Sequence, residues 1–264
     1  MVLLVIPARY ASTRYPGKPL AELRGAGGVS RSLIRRSWDA AMAVPGIDRV
    51  VVATDDARIA RAAEAFGAEV VMTPETCGNG TERCAVVSRE FPEHDIVVNL
   101  QGDAPLTPSW FVSALVEAMR ANEGCAVATP VLRCDAGALA GFLEDRRHGR
   151  VGGTTAVFDS AGRALYFSKE VLPYTGRALQ PGEEIPVFHH VGVYAYRRTA
   201  LHDYPDWPIG PLEAWEGLEQ LRFMENGTPV QCVTVEARGR AFWELNNPSD
   251  VSRIETIMRD LGLE

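Results

Sequence analysis

The sequence predicts an α/β protein with a mostly parallel β-sheet and helices on both faces, and three observations support this. Short apolar runs alternate with helical segments through the first half of the chain. The runs are nearly continuous in apolar residues, which is typical of strands buried on both faces. Strands joined by helices favour crossover connections and hence parallel pairing. With 264 residues, 46% of them hydrophobic, the chain can bury a sizeable core.

The first half of the chain alternates regularly between the two kinds of segment. The first strand, 3–6, is wholly apolar and ends at Pro7. Ser30 is the expected N-cap of the first helix. The predicted segments are strand 3–6, helix 30–44, strand 48–54, helix 56–67, strand 69–72, helix 81–91, strand 95–100, helix 108–121 and strand 125–131.

After residue 132 the pattern changes. Alternating residues and a turn predict two strands within 151–168, and a loop rich in proline and glycine follows. The predicted segments are strands within 151–168, loop 174–187, strand 189–197, helix 211–227, strand 229–237 and helix 248–262.

Composition excludes several classes of protein. The net charge of −7 argues against a general nucleic-acid coat. The five cysteines are dispersed without a CxxC pair, which indicates reduced, buried thiols rather than disulfides or zinc. No run reaches the ~18 apolar residues of a membrane span, and the N-terminus lacks the pattern of a signal peptide. We therefore expect a cytoplasmic protein without nucleic-acid or membrane partners.

The loop after the first strand, 7–19, is the strongest candidate site. In parallel sheets, ligands bind beyond the carboxyl ends of the strands, and this loop begins there. Its cations and hydroxyls could wrap a phosphate, although it contains neither a Walker loop nor GxGxxG. A solvated basic loop is the alternative. The candidate phosphate ligands are Arg9, Ser12, Thr13, Arg14 and Lys18.

Two further loops fall at the same predicted edge. In "NLQGDAPLT" (99–107), a strand ends and a glycine turn presents Asp103. A lone carboxylate facing a phosphate loop suits Mg²⁺, while a turn or helix cap is the alternative. In "CGNGTER" (77–83), two glycines precede a helix whose N-terminus favours anions. A plain helix-starting loop explains this segment equally well.

Taken together, the motifs resemble a known family. "VIPARYASTRYPGKPL", "VVATDD", "GNGTER", "VVNLQGDAPL", "ALYFSKEVLPY", "HHVGVYAYR" and "PLEAWEGLEQLR" occur in the order found in CMP-Kdo synthetases, the 3-deoxy-manno-octulosonate cytidylyltransferases. The resemblance covers roughly residues 3–256. It implies a Rossmann-like nucleotidyltransferase fold, transfer of CMP from CTP to an acidic acceptor, Mg²⁺ as cofactor and a homodimer.

The resemblance also implies roles for individual residues. It divides a single domain into a CTP-binding core (1–131), an acceptor-side and dimerisation region (132–245) and a returning C-terminal helix (246–264). Catalytic roles fall on Arg9, Arg14, Lys18 and Asp103. The CTP-binding set is Pro7, Ala8, Arg9, Ser12, Thr13, Arg14, Lys18, Gly78, Asn79, Gly80, Arg83 and Gln101. The acceptor set is Arg150, Lys169, His190, Tyr194, Glu219 and Gln220, and the metal set is Asp103 and Asn246.

Departures from the family pattern cluster on the acceptor and metal side. Ala104 replaces the usual glutamate, Asn246 the usual aspartate and Lys169 the usual arginine, and 146–155 carries additional cations. Asparagine retains a carbonyl for Mg²⁺ without the charge, and Glu244, Asn247 or Asp250 could compensate. The candidate anion clamp is Arg146, Arg147, His148, Arg150 and Lys169.

These departures predict an acceptor that is smaller and more highly charged than Kdo, such as phosphonoformate. Kdo itself is the alternative acceptor. A catalytically silent nucleotide-binding homologue is a further alternative, because one metal aspartate is missing. A nicotinamide-dependent oxidoreductase would need a glycine fingerprint that the sequence lacks. Apart from the family resemblance, His190 is explained as well by a hydrogen-bonded strand histidine as by a base.

Overall fold

The computed structural model describes residues 1–12, 15–151, 153–176, 183–240 and 243–264. Its strands are β1 (Val2–Ala8), β2 (Glu22–Arg24), β3 (Ser30–Ser32), β4 (Arg49–Thr54), β5 (Glu69–Met72), β6 (Ile96–Leu100), β7 (Val127–Arg133), β8 (Thr154–Phe158), β9 (Ala164–Ser168), β10 (Phe188–His190), β11 (Val193–Arg197) and β12 (Val230–Thr234). Its α-helices are α1 (Leu33–Met42), α2 (Ala57–Glu64), α3 (Gly80–Glu90), α4 (Ser109–Ala121), α5 (Ala136–Arg147), α6 (Arg198–Asp203), α7 (Pro211–Glu216), α8 (Gln220–Glu225) and α9 (Asp250–Asp260).

One mixed sheet runs through the described part of the chain. Its order is β5-β4-β1-β6-β11-β7-β10-β8-β9, and β12 pairs with β7. Strands β5, β4, β1 and β6 are parallel, as the alternation of strands and helices predicts. Strand β11 lies antiparallel between β6 and β7. The α/β prediction is therefore confirmed, with antiparallel strands concentrated in the second half of the sequence.

Helices cover both faces of the sheet. All seven residues of β1 are buried, and alternate side chains enter different apolar clusters. Leu4 packs with residues of α1, α2 and α4 on one face. Val5 packs with residues of α3, α6 and α8 on the other. Burial on both faces explains why the central strands are continuous apolar runs.

The C-terminal helix packs at the end of the sheet that carries the predicted loops. Ile254 and Met258 of α9 join Leu23 of the β2–β3 hairpin and Leu245 in a third apolar cluster. The backbone N–H of Leu245 donates to the carbonyl of Asp103 at 2.9 Å. The segment before α9 is thereby fixed beside the Asp103 loop.

The structure breaks two predicted elements at glycines. The predicted helix 211–227 is two short helices, α7 and α8, because Gly217 adopts a left-handed conformation with φ of 61°. The predicted strand 189–197 is interrupted at Val191 and Gly192, which separate β10 from β11. Both breaks lie beside the cleft described below.

Two local predictions were wrong. Helix α5 was not predicted, because none of its residues is buried and no apolar stripe marks it. The N-cap of α1 is Ser32 rather than Ser30, because Ser30–Ser32 pairs with Glu22–Arg24 as a hairpin before the helix begins.

The predicted state of the cysteines is confirmed. All five are free and buried, and burial raises the pKa of the Cys134 thiol to about 11 and that of Cys232 to about 12. Among the described helices, none combines the length and apolarity needed to cross a membrane.

Candidate active site

A single cleft of about 1670 Å³ lies at the carboxyl ends of β1 and β6. It brings together most of the residues that the sequence predicts for the site. Lining it are Pro7, Ala8, Arg9, Ser12, Lys18, Gly78, Asn79, Gly80, Arg83, Gln101, Asp103, Lys169, His190, Tyr194, Glu219, Gln220 and Asn246. Thr13 and Arg14 lie outside the described residues. Of the described members of the catalytic, CTP-binding, acceptor and metal sets, only Arg150 does not line the cleft.

The loop after β1 is held at its base. The N–H of Gly17 donates to the carbonyl of Tyr10 at 3.0 Å. The guanidinium carbon of Arg58 lies 3.3 Å from the centre of the Tyr10 ring, an arrangement typical of cation–π stacking. Because these contacts hold the two ends of the loop together beside α2, Arg9 and Lys18 are presented to the cleft from a defined base.

Lys18 and Asp103 meet across the cleft floor. The Lys18 ammonium lies 2.5 Å from Oδ2 of Asp103, and 26% of the Asp103 side chain is exposed. Gly102 allows this approach, because a Cβ there would lie 2.7 Å from the carbonyl oxygen of Pro7. The loop from β6 therefore packs directly on the end of β1.

The N-terminus of α3 forms one wall. Asn79 caps the helix by accepting from the N–H of Glu82 at 2.8 Å, and Glu82 accepts from the N–H of Gly78 at 2.7 Å. This reciprocal capping leaves the helix N-terminus facing the cleft. A Cβ on Gly80 would lie 3.1 Å from the side chains of Asn99 and Gln101, so a larger residue would crowd this wall.

Arg83 is buried and fully engaged at the same wall. It donates to Oδ2 of Asp55 and to Oγ1 of Thr73, both at 2.5 Å. Asp55 follows β4 and Thr73 follows β5, so one guanidinium ties three loops together. Arg83 lines the cleft as predicted. Its contacts with Asp55 and Thr73 hold the wall of the cleft in place.

The residues predicted to bind the acceptor form a wall rich in hydrogen-bonding groups. Tyr194 donates to Oε1 of Gln220 at 3.0 Å. Nε2 of Gln220 is buried and has no partner among the described residues. Gln101 donates to Glu219 at 3.3 Å, and burial raises the pKa of the Glu219 carboxyl. Such groups suit an acceptor with several hydroxyls.

His190 is a hydrogen-bonded strand histidine. Its Nε2 lies 2.9 Å from Oγ1 of Thr129. Burial, with a smaller contribution from His189, lowers the pKa of His190 to about 3. The imidazole is therefore neutral at physiological pH and can hydrogen-bond to a ligand without contributing charge.

Lys169 is the one member of the predicted anion clamp that lines the cleft. Its backbone N–H donates to Glu216 at 2.9 Å, which fixes the residue, and its Nζ lies over Gly217. Glu216 also accepts from Ser168 at 2.6 Å. The break at Gly217 thus places Glu219 and Gln220 in the same cleft as Lys169.

The remaining clamp residues lie at the exposed end of α5, away from the cleft lining. Arg147 and His148 pair with Glu144, Arg150 pairs with Asp145, and Arg146 donates to the backbone carbonyl of Arg150. The predicted cationic cluster is therefore not assembled in the cleft, because neighbouring carboxylates of the same helix engage it. Glu144 and Asp145 themselves line the cleft.

The residues predicted to bind metal offer oxygen donors rather than an acidic cluster, and the metal itself stays a prediction. No three His, Cys, Asp or Glu side chains converge as a metal site in the described ranges. Asp103 and Asn246 both line the cleft, and the Asp103–Leu245 backbone bond holds their segments together. Glu244 also lines the cleft, whereas Asp250 accepts from the N–H groups of Asn246 and Asn247. Such donors fit Mg²⁺, which needs few protein carboxylates when phosphates complete its shell.

Sequence analysis missed several residues that line the cleft. They come from α5 and its N-cap, from β8 and β10, and from the C-terminal segment that includes α9, namely Asp135, Phe142, Thr154, His189, Arg240, Trp243 and Arg253. Asp135 caps α5 by accepting from the N–H of Ala138 at 2.7 Å. An aspartate at this spacing before an alanine-rich stretch was the available signal for that helix.

Comparisons with known proteins agree with this geometry. A family model described as cytidylyltransferase matches residues 3–234. The chain is 46% identical over 262 residues to a 3-deoxy-manno-octulosonate cytidylyltransferase of Maricaulis maris, covering 99% of this chain and 98% of that protein. It is 40% identical to the Chlamydia pneumoniae enzyme of the same name, covering 95% and 91%.

A solved structure resembles the whole chain. It is described as CMP:2-keto-3-deoxy-manno-octonic acid synthetase complexed with CTP, and it is 32% identical to this chain. The match covers 98% of this chain and 99% of that one, with a TM-score of 0.83. The arrangement of strands and helices around the cleft is thus shared across the full length.

Proposed function

Since the chain belongs to the cytidylyltransferase family, among the 3-deoxy-manno-octulosonate cytidylyltransferases, we propose that it transfers CMP from CTP to 3-deoxy-manno-octulosonate (Kdo) and releases pyrophosphate. Family membership makes the chain a CTP-dependent nucleotidyltransferase. The acceptor is the proposed part. The observation that carries the proposal is the meeting of Lys18 and Asp103 at 2.5 Å, in a cleft that Tyr194 and Gln220 also line.

The proposed reaction is an in-line displacement. An acceptor hydroxyl oxygen attacks the α-phosphorus of CTP, the bond to the bridging oxygen of the β-phosphate breaks, and the hydroxyl proton is released. Arg9 and Lys18 lie where they can stabilise charge on the transferred phosphate and on the leaving pyrophosphate. The chain supplies positioning and electrostatic stabilisation, so no protein nucleophile is required.

Asp103 and Asn246 are the residues that would hold Mg²⁺. When bound, the ion would supply positive charge against the phosphate oxygens during transfer. Asp103 would exchange its partner Lys18 for the metal, and Lys18 would then be free to contact a phosphate. The all-oxygen donors at this position support magnesium over a softer metal.

The acceptor end of the cleft favours Kdo over phosphonoformate, the acceptor placed first by sequence analysis. A small, highly charged anion would need the cationic clamp, yet Arg147 and Arg150 do not line the cleft and are already paired with Glu144 and Asp145. Tyr194 and Gln220 instead offer groups that hydrogen-bond hydroxyls, and Lys169 offers one cation for one carboxylate. The near full-length relatives also carry the Kdo name.

We also propose that the enzyme is a homodimer through the surface around α7. Ile209, Leu212 and Trp215 are exposed there, with Trp215 90% exposed. Exposed apolar groups in one patch are typical of interfaces. Light scattering of the purified chain would test this proposal, and a monomer at micromolar concentration would contradict it.

The test of function is pyrophosphate release from CTP and Mg²⁺ with Kdo and phosphonoformate as parallel acceptors. We expect a higher kcat/KM with Kdo. A preference for phosphonoformate would overturn the proposed acceptor. Binding of CTP without release in the presence of either acceptor would favour the silent homologue. Asp103→Asn serves as the inactive control in each reaction.

A further inference from the structure

Two arginines from the C-terminal segment line the cleft, and neither is used by the chemistry described above. Arg240 lies in the loop after β12, and Arg253 lies in the first turn of α9. Neither has a carboxylate partner among the described residues. Lys18 and Arg83, by contrast, pair with Asp103 and Asp55.

Each of these arginines is supported by an indole. The guanidinium carbon of Arg253 lies 3.5 Å from the ring centre of Trp243, and that of Arg240 lies 5.2 Å from the ring centre of Trp110. The indoles are themselves fixed. Trp243 donates to Asp250 at 3.2 Å, and Trp110 donates to the carbonyl of Glu236 at 2.9 Å. Stacking on an indole orients a guanidinium while leaving its N–H edge available to an anion.

Both indoles lie next to the loop that carries Asp103. Trp110 begins helix α4 directly after that loop. Trp243 precedes Leu245, whose N–H donates to the carbonyl of Asp103. Trp243 also packs against the apolar cluster contacted by Tyr15 of the loop after β1. The two arginines therefore belong to the phosphate end of the cleft rather than to its acceptor end.

We propose that Arg240 and Arg253 bind the β- and γ-phosphates of CTP and the pyrophosphate that leaves. A stacked guanidinium can donate two parallel hydrogen bonds to phosphate oxygens. Asn246 lies between the two arginines in the sequence and brings no charge, so the two guanidinium groups outnumber Glu244, the carboxylate of this segment that lines the cleft. This inference rests on the proposed nucleotide reaction and adds two phosphate-binding residues to it.

Calorimetry on the full chain without acceptor tests the inference, using CTP, CMP and inorganic pyrophosphate as probes in the same Mg²⁺ buffer. Arg240→Met and Arg253→Met should each weaken CTP and pyrophosphate binding by about tenfold, the size of one charge-assisted contact. CMP binding should stay within about twofold, because CMP lacks the phosphates concerned. Arg253→Lys should recover part of the loss by restoring the charge without the fork.

Two control variants match these substitutions. Arg238 also stacks on Trp110, with its guanidinium carbon 5.0 Å from the ring centre, but it does not line the cleft. Arg259 lies on α9 and is exposed outside the cleft lining. Arg238→Met and Arg259→Met should bind all three probes as the unmodified chain does.

The outcomes separate this inference from the proposed function. If the unmodified chain binds CTP but Arg240→Met and Arg253→Met bind CTP and pyrophosphate equally well, the inference is overturned and the function stands. Equal losses for CMP and CTP would also overturn it, because they would indicate damage to the fold or the base site. If the unmodified chain binds no CTP, both fall.

Discussion

The ammonium group of Lys18 lies 2.5 Å from Oδ2 of Asp103, joining the loop after β1 to the loop after β6. The contact joins the lysine proposed to bind phosphate to the aspartate proposed to hold metal. In the proposed reaction, a nucleotide phosphate would compete for Lys18 and a divalent cation would compete for Asp103. Binding of both would exchange one ion pair for two new ones.

Replacing Lys18 by methionine should lower kcat/KM by about 10²-fold or more, the usual effect of losing one group that stabilises transition-state charge. Methionine retains much of the lysine's length, so the loop should remain folded. Steady-state pyrophosphate release measures the loss, and circular dichroism checks the fold. Unchanged turnover in a folded variant would contradict the assigned role.

Removing divalent metal should abolish turnover, and Asp103→Asn should weaken Mg²⁺ binding so far that added Mg²⁺ does not restore turnover. The amide keeps an oxygen for the ion but loses the charge that attracts it. A Mg²⁺ titration after chelation with EDTA measures both effects. Full activity in EDTA would rule out the magnesium assignment.

Lys169→Ala should raise the KM for the acceptor while leaving the KM for CTP nearly unchanged. Its ammonium lies over Gly217, two residues before Glu219 of the acceptor set. Lys169→Arg keeps the charge and is the matched control. An equal rise in both KM values would place Lys169 on the nucleotide side instead.

Breaking the buried ion pair between Arg83 and Asp55 should lower the free energy of unfolding substantially. Their side chains are only 3% and 12% exposed, so Asp55→Ala would leave an unpaired buried cation. The expected loss is about 3–5 kcal/mol. Urea denaturation measures it, with Glu69→Ala as control because the Arg49–Glu69 pair is 40% exposed on each side and contributes at most about 1 kcal/mol. Similar losses in both variants would contradict this reading of Arg83.

The buried carboxyl of Glu219 should make the stability of the folded chain depend on pH. Burial raises the pKa of its carboxyl in the folded chain, so the folded state binds this proton more tightly than the unfolded chain does. That contribution is fully present below the unfolded pKa and is lost as the pH rises through the folded pKa. Glu219→Gln cannot ionise, so it should raise the melting temperature at pH 7 and have a smaller effect at pH 4. A benefit that grew on acidification would contradict the sign.

The local sequence pattern was sufficient to predict the strands that are buried on both faces. Strand β1 and its parallel neighbours contain continuous apolar runs because helices cover both sides. Helix α5 escaped prediction because it buries none of its residues. The insertion of β11 between β6 and β7 depends on pairings distant in sequence, which no local pattern encodes.

The candidate site likewise contains residues that the local sequence could place and residues that it could not. Motif residues such as Lys18 and Asp103 could be placed from the sequence because each follows a strand at the binding edge. The sequence did not indicate which side chain pairs with Arg150, because its partner Asp145 lies on a helix that was not predicted. Arg253 was missed because only the fold brings α9 and Trp243 to the cleft.

Transfer of CMP to Kdo is tested by identifying the product. The chain is incubated with CTP, Mg²⁺ and Kdo, and the mixture is followed by ³¹P NMR and mass spectrometry, with Asp103→Asn in parallel. We expect pyrophosphate and a phosphodiester with the mass of CMP joined to Kdo, and neither product above background with the variant. Consumption of CTP without that phosphodiester, or no consumption by a chain that binds CTP, would contradict it.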